Sequence, residues 1–265
     1  MSTFFEKIND LDILLHCDGY EREYFFAECS RLAYKGQKLA SKEFKKVGFT
    51  SYKFCSVEGA QCHIVKNRDY IVIAFRGTEP RQFSDIKADL MAWKRKSRTE
   101  GHVHAGFKNE LDKLWADIKM GLSRKGDRTI FLCGHSLGGA IASVCASRLV
   151  KDVEELYTYG SPRVGGDIFR DNLLVDHCRV VNNNDMVAKV PFWLMGYRHH
   201  GHLTYINHYG NIRELTSWQK LKDQIRGRWC ALRNFQMFDG IRDHDINKYC
   251  KKLKSLVKIE PTFGE

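Results

Sequence analysis

The sequence predicts an α/β fold, a mostly parallel central sheet flanked by helices, and three observations carry that expectation. YIVIAF (Tyr70–Phe75) and TIFLC (129–133) are unbroken apolar runs, as expected of strands buried on both faces. Between them, GFKNELDKLWADIKMGL (106–122) repeats its apolar residues at helical spacing, and a crossover of that length implies parallel pairing. In CGHSLGGAIAS (133–143), Ser136 stands among glycines where strand residues give way to small helix formers. A strand that reverses sharply into a helix needs neighbours without bulk and lifts its apex side chain clear of the sheet.

The remaining elements follow in chain order. FFAECSRLAY, within 24–35, reads as a helix, and 49–57 and 61–66 as strands. After YIVIAF comes FRGTEPRQFSDIKADLMAW, a polar turn leading into a short amphipathic stretch. LGGAIASVCASRLV is the helix behind Ser136. ELYTYG, CRVVN and LTYIN read as further strands, with helices between and after them, the last beginning near INKYCKKL. Ligands of such sheets bind at the carboxyl ends of the strands, where Ser136 is expected.

Length and composition set the frame. The 265 residues, 43% of them hydrophobic, suit one domain spanning 1–265, and four prolines and 21 glycines are scattered without repeat or linker. No stretch approaches the roughly 18–20 apolar residues of a membrane span. Nine cysteines with no Cys-x-x-Cys pair, no Asn-x-Ser/Thr site and no signal-like amino-terminal segment predict an intracellular, cytoplasmic protein, at most peripheral at a membrane or lipid surface. The net charge of +11 draws the chain towards anionic surfaces, and charge alone leaves lipid headgroups and nucleic acid both open.

Gly134-His135-Ser136-Leu137-Gly138 fits G-x-S-x-G in the strand-to-helix context of a nucleophile elbow; the alternative is a tight turn with an idle serine. A serine hydroxyl is a weak nucleophile and needs a histidine base, a carboxylate to orient it and donors for the oxyanion. In α/β hydrolases the order is serine, acid, histidine. Asp185, just beyond CRVVN, is the acid favoured by placement over Asp167, Asp171 and Asp176, which fall in a helix and its exit. His199, His200, His202, His208 and His244 are the candidate bases. The RHHGHL cluster has no partner group at metal-ligand spacing and reads as a surface loop. His244, where a loop runs into the last amphipathic helix, is preferred, with His208 as the second choice.

From the helix FAECSRLAY through YIVIAFRGT, HAGF, GHSLGGA, YGSPRVG and NNNDMVAKVP to DHDINKY, most of the chain resembles the class 3, fungal-lipase-like family of α/β hydrolases. The resemblance implies an α/β-hydrolase fold with a lid, Ser136 as nucleophile, Asp185 as orienting acid and His244 as general base. It makes Thr78, after Arg76-Gly77, the oxyanion residue, joined by the backbone N–H of Leu137; otherwise Thr78 is a plain turn residue. It places a lid at 79–99, with Phe83, Ile86, Leu90, Met91 and Trp93 on an apolar side and Arg81, Lys87, Lys94, Arg95, Lys96 and Arg98 on a polar one. A permanently docked surface helix is the alternative.

A basic amphipathic stretch, 216–238, sets Trp218, Leu221, Ile225, Trp229 and Leu232 at helical spacing among Lys220, Lys222, Arg226, Arg228 and Arg233. It serves either as core packing under a solvated face or as an anionic-membrane contact. The expected activity is hydrolysis of acylglycerol esters through an acyl-enzyme, with no metal or organic cofactor. The substrate is a lipid ester, and the expected partner surface is anionic membrane and not nucleic acid. Phospholipid or galactolipid hydrolysis, and a non-catalytic membrane-binding scaffold, are the competing functions.

Overall fold

The alternation of apolar strands with helices builds one seven-stranded sheet, seen in a computed structural model that describes residues 3–8, 11, 20–77, 93–212 and 242–257. Helices α1 (Tyr20–Leu32) and α2 (Gln37–Lys46) precede strands β1 (Ser51–Val57), β2 (Ala60–Lys66) and β3 (Tyr70–Phe75). A short hairpin, β4 (Lys94–Lys96) and β5 (His102–His104), leads into α3 (Ala105–Leu122). Strand β6 (Thr129–His135), helix α4 (Leu137–Arg148), strand β7 (Val153–Tyr159), helix α5 (Asp167–Asp171), strand β8 (Asp176–Asn182), strand β9 (His202–Ile206) and helix α6 (Ile246–Leu256) complete it.

Strands run in the order β1-β2-β3-β6-β7-β8-β9. The first two pairings are antiparallel and the four from β3 to β9 are parallel. The apolar runs are unbroken because alternate residues serve two cores. Tyr70, Val72, Ala74, Phe131 and Cys133 face α1 and α6, whereas Ile71, Ile73, Phe75, Ile130 and Leu132 face α3 and α4. On the first side Phe26 of α1 stacks on Tyr157 of β7 at 4.2 Å between ring centroids. The register pairs Phe75 with Gly134, His135 with Tyr159 and Tyr159 with Val180, so the carboxyl ends of β3, β6, β7 and β8 form one edge.

Two expectations need correction. The amphipathic character assigned to 79–99 does not hold to its end: Lys94–Lys96 is a strand, paired Lys94 to His104 and Lys96 to His102. The reason is the turn that follows, where Gly101 at φ +74° lets Ser97 N–H reach the Gly101 carbonyl at 2.9 Å, and cross-strand pairing overrides helical spacing. Residues 79–92 of that segment, and the basic stretch 216–238, lie outside the described residues.

In the RHHGHL cluster only His202 is a surface histidine; His199 and His200 are half-buried. His200 lies with its Nδ1 3.1 Å from the Nδ1 of buried His177, and His199 Nε2–H donates to the Ala188 carbonyl at 2.8 Å. The loop folds back over β8 because β9 must follow it into the sheet. Helix α2, which carries few apolar residues, drew no expectation from the sequence.

Candidate active site

Ser136 sits at the junction of β6 and α4 with φ +58° and ψ −132°, a backbone region that serine rarely adopts. The glycines around it make the junction possible. A Cβ on Gly134 would strike the backbone of Gly138, and one on Gly138 would strike the carbonyl of Phe75, so strand, helix and the turn after β3 approach at backbone contact. Ser136 is also the N-cap of α4, yet its hydroxyl makes no capping bond. It points instead to His244, whose Nε2 is 2.8 Å from Ser136 Oγ.

The ring of His244 is held from its other side. Its Nδ1 lies 3.0 and 2.9 Å from the two carboxylate oxygens of Asp185, so Nδ1–H donates to the carboxylate and Nε2 is left to accept the proton of Ser136 Oγ. Asp185 is itself fully buried and accepts from Val187 N–H at 2.9 Å and from Tyr249 Oη–H at 2.5 Å. Burial, reinforced by the Asp185 charge, pushes the Tyr249 hydroxyl well above its ordinary range, which keeps it a donor.

Three asparagines position the histidine. Asn182 Nδ2–H donates to the Asp243 carbonyl at 2.8 Å, and Asn183 Nδ2–H and Asn184 N–H donate to Asp243 Oδ2 at 3.0 and 3.3 Å. Asp245 then caps α6 by accepting from Asn247 N–H at 2.9 Å. The segment bearing His244 is thereby clamped between the acid loop and a helix start. From below, His135 Nε2–H donates to the His244 carbonyl at 2.6 Å, which leaves His135 Nδ1 to accept from Tyr34 Oη–H at 2.8 Å. Burial first, and His244 second, hold His135 well below the ordinary imidazole range, so this link stays neutral.

The structure thus brings Ser136, Asp185 and His244 together. Leu137 begins α4 beside Ser136, its N–H among those that a helix's own ladder leaves unused. Thr78 lies outside the described residues; its neighbour Gly77 is so close to the elbow that a Cβ there would sit 3.2 Å from Ser136 Cβ. The second-choice base, His208, lies in the turn after β9 with its ring 5.3 Å from Tyr209. Asp167 and Asp171 pair with Arg170 at 3.0 and 2.7 Å, and Asp176 is exposed.

Sequence reasoning missed Tyr249, Asp243, Asn182–Asn184 as a clamp, and Gly160. A Cβ on Gly160, which has φ +56°, would press on Asp185 Oδ2 and lie 2.9 Å from His244 Nδ1. The signal was present in YGSPRVG, NNND and HDINKY, whose polar residues sit beside apolar strand ends without an obvious solvent role.

A parallel-rich sheet with Ser136 on a strand-to-helix elbow defines the α/β-hydrolase fold. Residues 72–195 match the family model for lipase (class 3), so this part of the chain is similar to the class 3 lipases. It is 42% identical over 106 residues to the secreted mono- and diacylglycerol lipase 1 of Fusarium solani, covering 37% of this chain and 32% of that protein. It is 30% identical over 147 residues to a lipase of Rhizomucor miehei, covering 49% of this chain and 40% of that protein. With toxin TseL of Vibrio cholerae it shares 31% over 181 residues, 50% of this chain and 28% of the toxin. The chain spans about a third of the length of these curated relatives.

Among solved structures, the triacylglyceride lipase of Rhizomucor miehei superposes with a TM-score of 0.63 at 20% identity, over 83% of this chain and 90% of that one. The lipase of Rhizopus microsporus var. chinensis gives 0.59 at 22%, over 77% and 78%. These likenesses establish the fold.

The relatives also correct the expected location. Those from Fusarium solani, Malassezia globosa and Gibberella zeae are named as secreted, which runs against the cytoplasmic location expected from the sequence. The cysteine argument failed for a physical reason: Cys29, Cys55, Cys62, Cys133, Cys145 and Cys250 are buried packing residues, and a thiol sealed in a core says little about the redox state outside.

Proposed function

We propose that the protein is a serine-dependent carboxylic ester hydrolase acting on acylglycerols. The observation that carries this reading is the 2.8 Å separation of Ser136 Oγ and His244 Nε2, with His244 Nδ1 bound to buried Asp185. In the proposed reaction His244 Nε2 takes the hydroxyl proton as Ser136 Oγ attacks the ester carbonyl. Asp185 holds the tautomer and offsets the imidazolium charge, and the tetrahedral oxyanion is received by the Leu137 N–H and by Thr78. Collapse expels the alcohol, protonated by His244, and leaves an acyl-enzyme that water hydrolyses by the same proton relay.

The substrate reading rests on the family and on the relatives, whose names include mono- and diacylglycerol lipases. The test is Ser136→Ala with a short-chain nitrophenyl ester and a fluorophosphonate probe. Turnover should fall by roughly 10⁴-fold or more, and labelling should vanish while the protein stays folded. Substantial residual turnover would refute the assignment.

An anionic lipid surface is the proposed site of work. Next to the hairpin residues Lys94, Arg95 and Lys96, the turn Phe192-Trp193-Leu194-Met195 exposes its side chains, Leu194 at 78%, and Trp93 stands 89% exposed. Lys94 ties the two regions together, donating to the Gly196 carbonyl at 3.2 Å and lying 5.0 Å above the Tyr197 ring. Aromatic and aliphatic side chains beside cations suit the boundary between headgroups and acyl chains. The same charge favours a second reading, phospholipid or galactolipid as substrate. Rates on triolein, monoacylglycerol and phosphatidylglycerol micelles distinguish the two.

A further inference from the structure

On the face of the sheet opposite α1 and α6, a cleft lies between α5 and the 197–200 loop. Its floor is set by strand register. Thr158 of β7 pairs with Arg179 of β8, and His177, two residues earlier on β8, turns the same way, with its Nε2 2.9 Å from Thr158 Oγ1. Arg198, His199 and His200 form the wall. Position 179 is an unusual place for a guanidinium, because its neighbours Cys178 and Val180 face the opposite core and its own side chain is turned into this interior cleft.

Every other cation around the cleft has its partners. Arg198 Nε pairs with Asp167 at 3.0 Å and its Nη1 donates to the Trp193 and Tyr197 carbonyls at 2.9 and 3.1 Å. Arg170 pairs with Asp167 and Asp171 at 3.0 and 2.7 Å, and Arg163 donates to the carbonyls of Lys189 and Pro191. Arg179 alone among these forms no ion pair or hydrogen bond with the described residues, and its Nε is buried without a partner. Burial, and then the Arg163 charge, pull its guanidinium down to about 10, so it remains a cation at neutral pH.

The histidines are neutral. Burial pushes His177 and His199 well below the usual imidazole range, with Arg179 among the charges adding to the effect on each. Burial lowers His200 too. Arg179 is half-buried with only its Nε sealed, its remaining donors have no anion among the described residues, and Arg is the side chain whose planar donor set matches an oxyanion.

We propose that this cleft binds a phosphate-class oxyanion on Arg179, with Arg198 and the three imidazoles as its walls. The anion accepts from the unused guanidinium donors and offsets the like charge between Arg179 and Arg163. The ligand chemistry is shared by free phosphate and by the phosphoryl group of a lipid headgroup, which the test separates.

The experiment is thermal unfolding of the full chain in inorganic phosphate, in glycerol 3-phosphate and in chloride of equal ionic strength, for the wild type and for Arg179→Gln. Phosphate near tenfold Kd should raise the wild-type Tm by about 3–5 °C over chloride, and Arg179→Gln should lose that increment. An equal rise with glycerol 3-phosphate supports a headgroup as the source, and a rise with inorganic phosphate alone supports the free ion. Because Arg179→Gln can misfold, the wild type is also followed through its histidine side-chain ¹H–¹⁵N resonances, where those of His177 and His200 should move on phosphate addition and stay still in chloride. No phosphate-specific rise in the wild type, an undiminished rise in a folded Arg179→Gln, or unmoved resonances overturns the proposal.

Discussion

Tyr249 and Asp185 are joined by a 2.5 Å hydrogen bond from the phenol to Oδ2, the same oxygen that lies 2.9 Å from His244 Nδ1. The tyrosine comes from α6, five residues after the histidine, so one short segment supplies both groups that grip the carboxylate. Tyr249→Phe removes a donor to a buried charge at nearly constant volume. The expected result is a 10- to 100-fold lower kcat with KM little changed, and a stability loss of roughly 1–3 kcal/mol, read by ester kinetics and urea unfolding. An unchanged kcat would make the bond a packing feature only.

Gly160→Ala tests the space under the same pair. The new methyl must occupy a position 2.9 Å from His244 Nδ1, and alanine must adopt φ +56°. We expect kcat/KM to drop by about two orders of magnitude or more with a destabilisation of roughly 1–2 kcal/mol, from the positive φ and the displaced carboxylate. Steady-state kinetics beside a Tm measurement separate the two effects.

Asp243→Ala removes the acceptor for Asn183 and Asn184 without touching the three reacting groups. Fluorophosphonate labelling of Ser136 should slow several-fold, and proteolysis within 242–246 should speed up, because the histidine segment loses its clamp. Labelling at the wild-type rate would show that α6 alone places His244.

Acid stability follows from His63, a buried residue of β2 whose Nδ1 is 2.8 Å from Tyr52 Oη. Burial lowers its pKa from 6.5 to about 4. The folded state therefore binds fewer protons than the unfolded one between these values, and stability present above about pH 6.5 is lost as pH falls towards 4. The loss attributable to this one side chain is roughly 3 kcal/mol. Because buried His135 and His177 and half-buried His199 add to the same slope, His63→Gln should reduce and not abolish the fall in unfolding free energy over pH 4–6.5, and an unchanged slope in that variant would remove His63 from the acid sensitivity.

Trp193→Ala combined with Leu194→Ser probes the surface contact. Each exposed apolar side chain is worth about 1–2 kcal/mol on burial, so partition onto phosphatidylglycerol vesicles should weaken about tenfold or more while turnover of a soluble short-chain ester holds. Equal flotation of variant and wild type would remove this turn from the contact.

The strands were legible because YIVIAF and TIFLC are buried on both faces, a local pattern with one physical cause, and the elbow because its glycines are required by backbone contact. Asp185 and His244 were readable as positions in an order and not as neighbours, since 59 residues separate them and only the register of β8 with α6 brings them together. Lys94–Lys96 misled because a hairpin's partner strand decides its conformation and helical spacing carries no trace of that partner. Tyr249 resembled an ordinary core aromatic on an amphipathic helix. Arg179 was invisible for a similar reason, because a charged residue within CRVVN looks like an edge position until the strands on both sides are known.

The bond from His135 to the His244 carbonyl has a consequence for biosynthesis. His135, beside Ser136, is also the dock for a segment made more than a hundred residues later, so Ser136 leaves the ribosome before His244 has been made. Under the proposed chemistry the nascent protein is harmless to the lipids around it until that late helix seats.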